Sequence, residues 1–215
     1  MPDTFGAARE HLHELAPVLR RAVTLDPASI VRLRGDQFTV SVLVTLPFGV
    51  LVARTIAASA SDWDITVRAD AMLAWLDGEQ PDPPTTQDAQ WRGGLPPSSG
   101  WRRVETVPDT VIRDLVRAGA LALKDAAERE GVPGAQPRSE VSNALLDSVV
   151  LTVTADDDPT LTAQITLRAL SALTRMGFLA RGSQANIDRS GRWIRVAASY
   201  GNVYLEGPGG LSLVR

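Results

Sequence analysis

The sequence has no cysteine. That one absence removes disulfides, thiolate nucleophiles and cysteine metal sites together. It also suits a reducing, cytoplasmic setting better than a secreted one. Histidine is nearly missing too, with His11 and His13 the only two. Two apart in a helical stretch, they sit on roughly opposite faces, whereas helical metal chelation needs a spacing of four. Zinc centres and the usual Ser–His and Cys–His nucleophile pairs are thereby excluded, and neither a metal nor a cofactor is expected.

Lysine is almost absent, since Lys124 stands alone among the basic residues and the rest are arginine. A net charge of −3 gives no global basic field of the kind that drives non-specific DNA binding. Long apolar runs are lacking as well. The most apolar stretch, Val40 to Ala53, is too short to cross a bilayer as a helix and carries Pro47 and Gly49 at its centre. It reads as two strands meeting at a turn, and no membrane is expected as a partner. The start, Met1-Pro2-Asp3, shows no basic region leading into an apolar run, so no signal peptide is expected.

Nucleotide-loop fingerprints are missing, and Gly207-Pro208-Gly209-Gly210 is not followed by a helical pattern. Asp156-Asp157-Asp158 fails as a calcium loop, because Leu161 and Leu167 stand where the glycine and the closing glutamate belong. Asp62 and Asp64, two apart on one strand, are the only paired carboxylates that suggest acid–base chemistry, and nothing else converges on them.

What is present is a recurrence. Ile65-Thr66-Val67-Arg68-Ala69 returns one hundred residues later as Ile165-Thr166-Leu167-Arg168-Ala169, with five identities over a fifteen-residue match. In both copies the pattern changes from strand to helix near the arginine. The expected architecture is α+β, an antiparallel sheet with short helices, built from two duplicated strand–strand–helix–hairpin units. Strands are expected at 30–33, 38–46, 50–56, 65–67, 149–154, 161–167, 185–188, 193–198 and 202–205. A helix over 4–23 must kink or restart at Pro17. Short helices follow at 70–76 and 168–178. The spacing of Thr106 and Asp109 predicts a capping box opening a helix that Gly131 and Pro133 close. The composition between Glu79 and Gly100 marks a long connection, either a functional loop or a linker. The expected division is 1–107, a connecting segment 108–147, and 148–215.

One cluster stands out for function. Arg168, Arg175, Arg181, Arg189, Arg192 and Arg195 lie within 28 residues and are opposed there only by Asp188, a local balance of +5. With Trp193 they form the candidate binding site. Charges gathered on one face favour an anionic partner. The acidic stretch Asp77, Glu79, Asp82 and Asp88, of the same or another chain, would fit it. The functional expectation is a non-enzymatic interaction or adaptor protein that meets an acidic protein surface. Nucleic-acid binding through the 168–195 face ranks second, and a carboxylate-based enzyme last.

Overall fold

The computed structural model describes residues 9–60, 63–129 and 138–206. Its chain divides into two compact units, Met1–Leu95 and Pro96–Arg215.

Unit 1 opens with α1 (Arg9–Leu12), a 3₁₀ turn, and α2 (Ala16–Leu25). Pro17 sits in the first turn of α2, where its missing N–H has no intrahelical role. The helix therefore restarts rather than kinks. Four strands follow: β1 (Ile30–Gly35), β2 (Thr39–Thr45), β3 (Leu51–Ala57) and β4 (Asp64–Arg68). They pair antiparallel in the order β4–β1–β2–β3. The β1–β2 turn is held by Asp36, whose Oδ1 accepts from the N–H groups of Phe38 and Thr39 at 2.7 Å each. The β2–β3 turn uses Gly49 at φ +79. Val31, Leu33, Val40, Val42, Val44, Val52 and Val67 bury one face of the sheet, and Leu15, Leu19, Met72 and Leu76 supply the helical side of the core. The central strand β2 also buries Leu43 on its other face.

After α3 (Ala69–Leu76) the chain runs without regular structure, apart from one 3₁₀ turn at Asp88–Gln90. That segment is fastened to the β4 edge. The Gln87 N–H donates to the Thr66 carbonyl at 2.7 Å, and Asp88 accepts from the Thr66 N–H at 2.5 Å. Trp91 lies against Arg32, 5.9 Å from guanidinium carbon to ring centroid.

Unit 2 contains β5 (Arg102–Pro108), α4 (Asp109–Arg129), α5 (Arg138–Asp147), the hairpin β6 (Val149–Thr154) and β7 (Thr162–Thr166), α6 (Leu167–Arg175), and the meander β8 (Gln184–Ser190), β9 (Trp193–Ala198), β10 (Gly201–Glu206). One antiparallel sheet has the order β10–β9–β8–β5; β6 and β7 form a two-stranded sheet of their own. The core gathers Ile187, Val196, Val203, Ile112, Ile165, Leu170 and Leu173. Thr166 caps α6, accepting from the Ala169 N–H.

Several expectations change. The order strand, strand, helix does recur, as β3–β4–α3 and β6–β7–α6, but the pairing differs. β6 pairs with β7, whereas β3 and β4 are opposite edges of the unit 1 sheet. Arg68 sits at the cap of α3, while Arg168 lies inside α6. A strand hairpin follows α6 and none follows α3. Thr106 belongs to β5 and donates to Asn186 Oδ1 at 3.1 Å, so no capping box forms and α4 begins at Asp109. The expected break at 107–108 falls instead between Leu95 and Pro96, because β5 pairs with β8 and ties 102–108 to unit 2. Within the expected connecting segment, α5 occupies 138–147. Asp62 lies outside the described residues, and Asp64 pairs with Arg32.

Candidate interaction groove

The β8–β9 hairpin disperses the arginines. Asp188 is the register partner of Arg195, and Arg189 that of Ile194. Adjacent pairs point to opposite faces of a sheet. Arg195 therefore shares the outer face with Asp188, and Arg189 shares the inner face with Ile194. Arg192 occupies the turn beside Gly191 (φ +56) and pairs with Glu206 at 2.5 Å. Arg168, near the start of α6, pairs with Asp147 at 2.7 Å, which holds that carboxyl below its usual range. Arg175 ends α6 with its side chain exposed, and Arg181 is exposed in the segment that leads to β8. Trp193, half-buried, faces Ser190 and Glu206 across its two neighbouring strands. The acidic stretch set against these arginines is engaged within unit 1, with Asp77 on Arg20 at 2.8 Å and Asp88 on the β4 edge.

Two arginines remain together. Arg189 and Arg192 line an open groove of ≈ 430 Å³ with Thr162, Gln164, Val149, Ile194, Leu205 and Glu206. Its walls are β7 on one side and the ends of β9 and β10 on the other. Val149 is 48% exposed, a large apolar side chain left to solvent. Arg189 donates to two backbone carbonyls, Thr162 at 2.8 Å and Gly191 at 3.1 Å. No carboxylate among the described residues pairs with it. The Arg192–Glu206 pair is well exposed on both sides, a class of pair worth about 0–1 kcal/mol. An incoming carboxylate can therefore exchange with Glu206 at little cost.

The outer face carries a second cluster that sequence reading missed. Asp188, 3% exposed, accepts from Arg103 at 2.6 Å and from Arg195 at 2.8 Å. Arg195 stacks over Trp101, whose indole N–H donates to the Pro97 carbonyl at 3.0 Å. Tyr204 packs beside Trp101 at 5.8 Å between centroids, and burial pushes its phenol above the ordinary value. Each charged group here has a partner inside the unit, so the cluster fastens the start of unit 2 onto its sheet. Among the described residues no group of three or more His, Asp or Glu side chains could hold a metal ion. Among them too, no helix is long and apolar enough to cross a membrane.

The fold has counterparts among solved structures. The DNA polymerase III subunit beta from Pseudomonas aeruginosa aligns over 94% of this chain and 64% of its own, at 13% identity and a TM-score of 0.57. The DNA polymerase sliding clamp from Bacillus subtilis aligns over 97% of this chain and 67% of its own, at 14% identity and a TM-score of 0.56. The Helicobacter pylori beta clamp bound to a DNA ligase peptide aligns over 94% and 68%, at 10% identity and a TM-score of 0.50. The chain thus spans about two thirds of the length of these clamps, and its fold is sliding-clamp-like: α+β with antiparallel sheet. At the level of family, residues 96–210 match the model described as Domain of unknown function (DUF8185), and the chain belongs to that family. Residues 5–93 match a second model, Domain of unknown function (DUF8010). No curated protein matches the chain.

Proposed function

We propose that the protein is a non-enzymatic interaction scaffold that holds a segment of a partner protein. The observation that carries this reading is the likeness of fold to sliding clamps, one of which is bound to a peptide of another protein. The groove of unit 2 supports it, because it offers apolar side chains, an arginine with no carboxylate partner among the described residues and an exchangeable ion pair within one opening. In this reading the protein works in the cytoplasm, which its lack of cysteine suits.

Nucleic-acid binding is the second reading, and the likeness to clamps of DNA polymerase speaks for it. Charge speaks against it. Unit 1 has 8 basic and 12 acidic residues, and unit 2 has 14 and 13, so neither carries a strong positive field.

Panning a phage-displayed random peptide library on the immobilised chain tests the proposal, with titration of duplex DNA at low and high salt beside it. The scaffold reading expects a peptide consensus and weak DNA binding. Absence of any consensus, with salt-sensitive DNA binding instead, overturns it.

A further inference from the structure

The groove also specifies how a partner segment would lie in it. Along β7, Leu161 accepts from the Ala155 N–H at 3.0 Å, and Ala163 and Ile165 face Val153 and Leu151 across the β6–β7 ladder. In an antiparallel pair, a residue that directs its N–H and C=O to the partner strand alternates with one that directs both away. Residues 161, 163 and 165 point to β6, so Thr162, Gln164 and Thr166 present their backbone groups on the other edge. The Thr162 carbonyl confirms that direction, since Arg189 Nη1 reaches it at 2.8 Å from β8. The β6–β7 sheet has only two strands, so among the described residues β7 has no strand neighbour on that edge. Thr162, Gln164 and Thr166 are also the β7 residues that line the groove.

Three features therefore coincide in one opening. Apart from the Thr162 carbonyl, which Arg189 takes, the open strand edge offers main-chain donors and acceptors. Val149, Ile194 and Leu205 offer apolar surface to alternate side chains of an extended segment. Among the described residues Arg189 and Arg192 face a single acid, Glu206, so the groove lining keeps a net positive charge. Resting on the scaffold reading, we infer that the groove takes an extended, acidic segment of a partner protein as an added strand on the β7 edge. Main-chain hydrogen bonds fix its register, aliphatic side chains sit on Val149 and Leu205, and a carboxylate meets Arg189 and Arg192. The short edge admits only a few residue pairs, so side-chain contacts set the specificity.

The probe is a set of fluorescein-labelled peptides in which leucine or valine alternates with aspartate or glutamate, read by anisotropy on the full chain. Hydrogen exchange of the Gln164 amide is followed in parallel. Binding should slow that exchange. Methylating alternate peptide nitrogens in one register should weaken binding roughly tenfold, and in the other register leave it unchanged. Arg192→Glu should weaken acidic peptides and improve lysine-containing ones. Gln164→Pro removes the edge donor on the protein side, and the methylated peptides make the same test without depending on how that variant folds. Equal affinity for methylated and unmethylated peptides, or indifference to Arg192→Glu, overturns the inference. If the alternating peptides fail while panning still yields a consensus, the strand-addition inference falls and the scaffold reading stands. If both fail, both fall.

Discussion

The Arg195 guanidinium carbon lies 4.5 Å from the ring centroid of Trp101, and the same side chain donates to Asp188 on the neighbouring strand. Unit 1 repeats the arrangement. There Arg32 faces Trp91 at 5.9 Å and donates to Asp64 on its neighbouring strand. In each unit a tryptophan from the irregular segment is laid on an arginine of the sheet, and an aspartate holds that arginine in place. A face-on guanidinium contributes ~0.5–1 kcal/mol at exposed sites and more when desolvated.

Removing the carboxylate should loosen the unit 2 version. Asp188→Ala deletes charge-assisted bonds to Arg103 and Arg195, but water can reach both arginines, which are 50% and 25% exposed. The expected loss is about 2 kcal/mol in urea unfolding. Trp101 fluorescence should become more sensitive to quencher in the same variant. A change below ~0.5 kcal/mol would make the cluster ornamental.

Thr66 offers a change in the other direction. Its side chain is fully buried, and its hydroxyl oxygen has no hydrogen-bond partner among the described residues. Thr66→Val keeps the β-branched shape that a strand favours and removes an unsatisfied polar group. It should raise stability by about 1 kcal/mol. A destabilised Thr66→Val protein would show that the hydroxyl is satisfied in solution, by water or by the similarly orphaned Trp91 indole N–H.

Stability should also depend on acid. Asp64, Asp70 and Asp147 are held below the ordinary value of 3.8 chiefly by hydrogen bonds from Arg32, Arg68 and Arg168. Asp36 is held below it by the Phe38 and Thr39 amides. For each, the folded state binds fewer protons than the unfolded state once the pH falls below 3.8. Their stabilisation is complete above that value and is lost as the pH drops through the lower folded values. Urea midpoints should therefore be insensitive to these groups near neutrality and decline below about pH 4. A decline already complete well above pH 4 would assign acid sensitivity to other groups.

Limited proteolysis should respect the fastening of the long segment. Cuts are expected at 79–86 or 92–100, on either side of the Gln87–Trp91 stretch held to β4. Initial cleavage at 87–91, or inside 109–126, would contradict this picture.

Much of the architecture was legible because it is written in local alternation and turns. The ends of β1 to β4 fall within about two residues of expectation, and the 3.6-residue pattern located α3 and α6. Errors arose where local pattern has two readings. The ladder shifts register between Arg103 and Glu105, so Val104 and Val107, both buried, are three apart in a strand. Thr106 and Asp109 are three apart as well, and that spacing, read as a capping box, lent Thr106 to the wrong element. Recurrence of strand, strand, helix was readable, but pairing was not, because partners such as β1 and β4 are brought together only by the folded chain. The arginine cluster failed as a single face for the same reason. A window from 168 to 195 counts one acid, yet Asp147 and Glu206 come from outside it and neutralise two of the six. Only Arg189 and Arg192 survive as groove residues, and Val149 and Leu205 could not be assigned to them without the fold.

An open strand edge also invites polymerisation, since it can template a neighbour of its own kind as readily as a partner. The β7 edge is five residues long and is blocked at Thr162 by Arg189. Two copies approaching through it would bring the Arg189 and Arg192 side chains of both molecules together. The charge that favours an acidic visitor is thus also a guard against amyloid-like stacking. Neutralising Arg189 and Arg192 would trade selectivity for a tendency to aggregate.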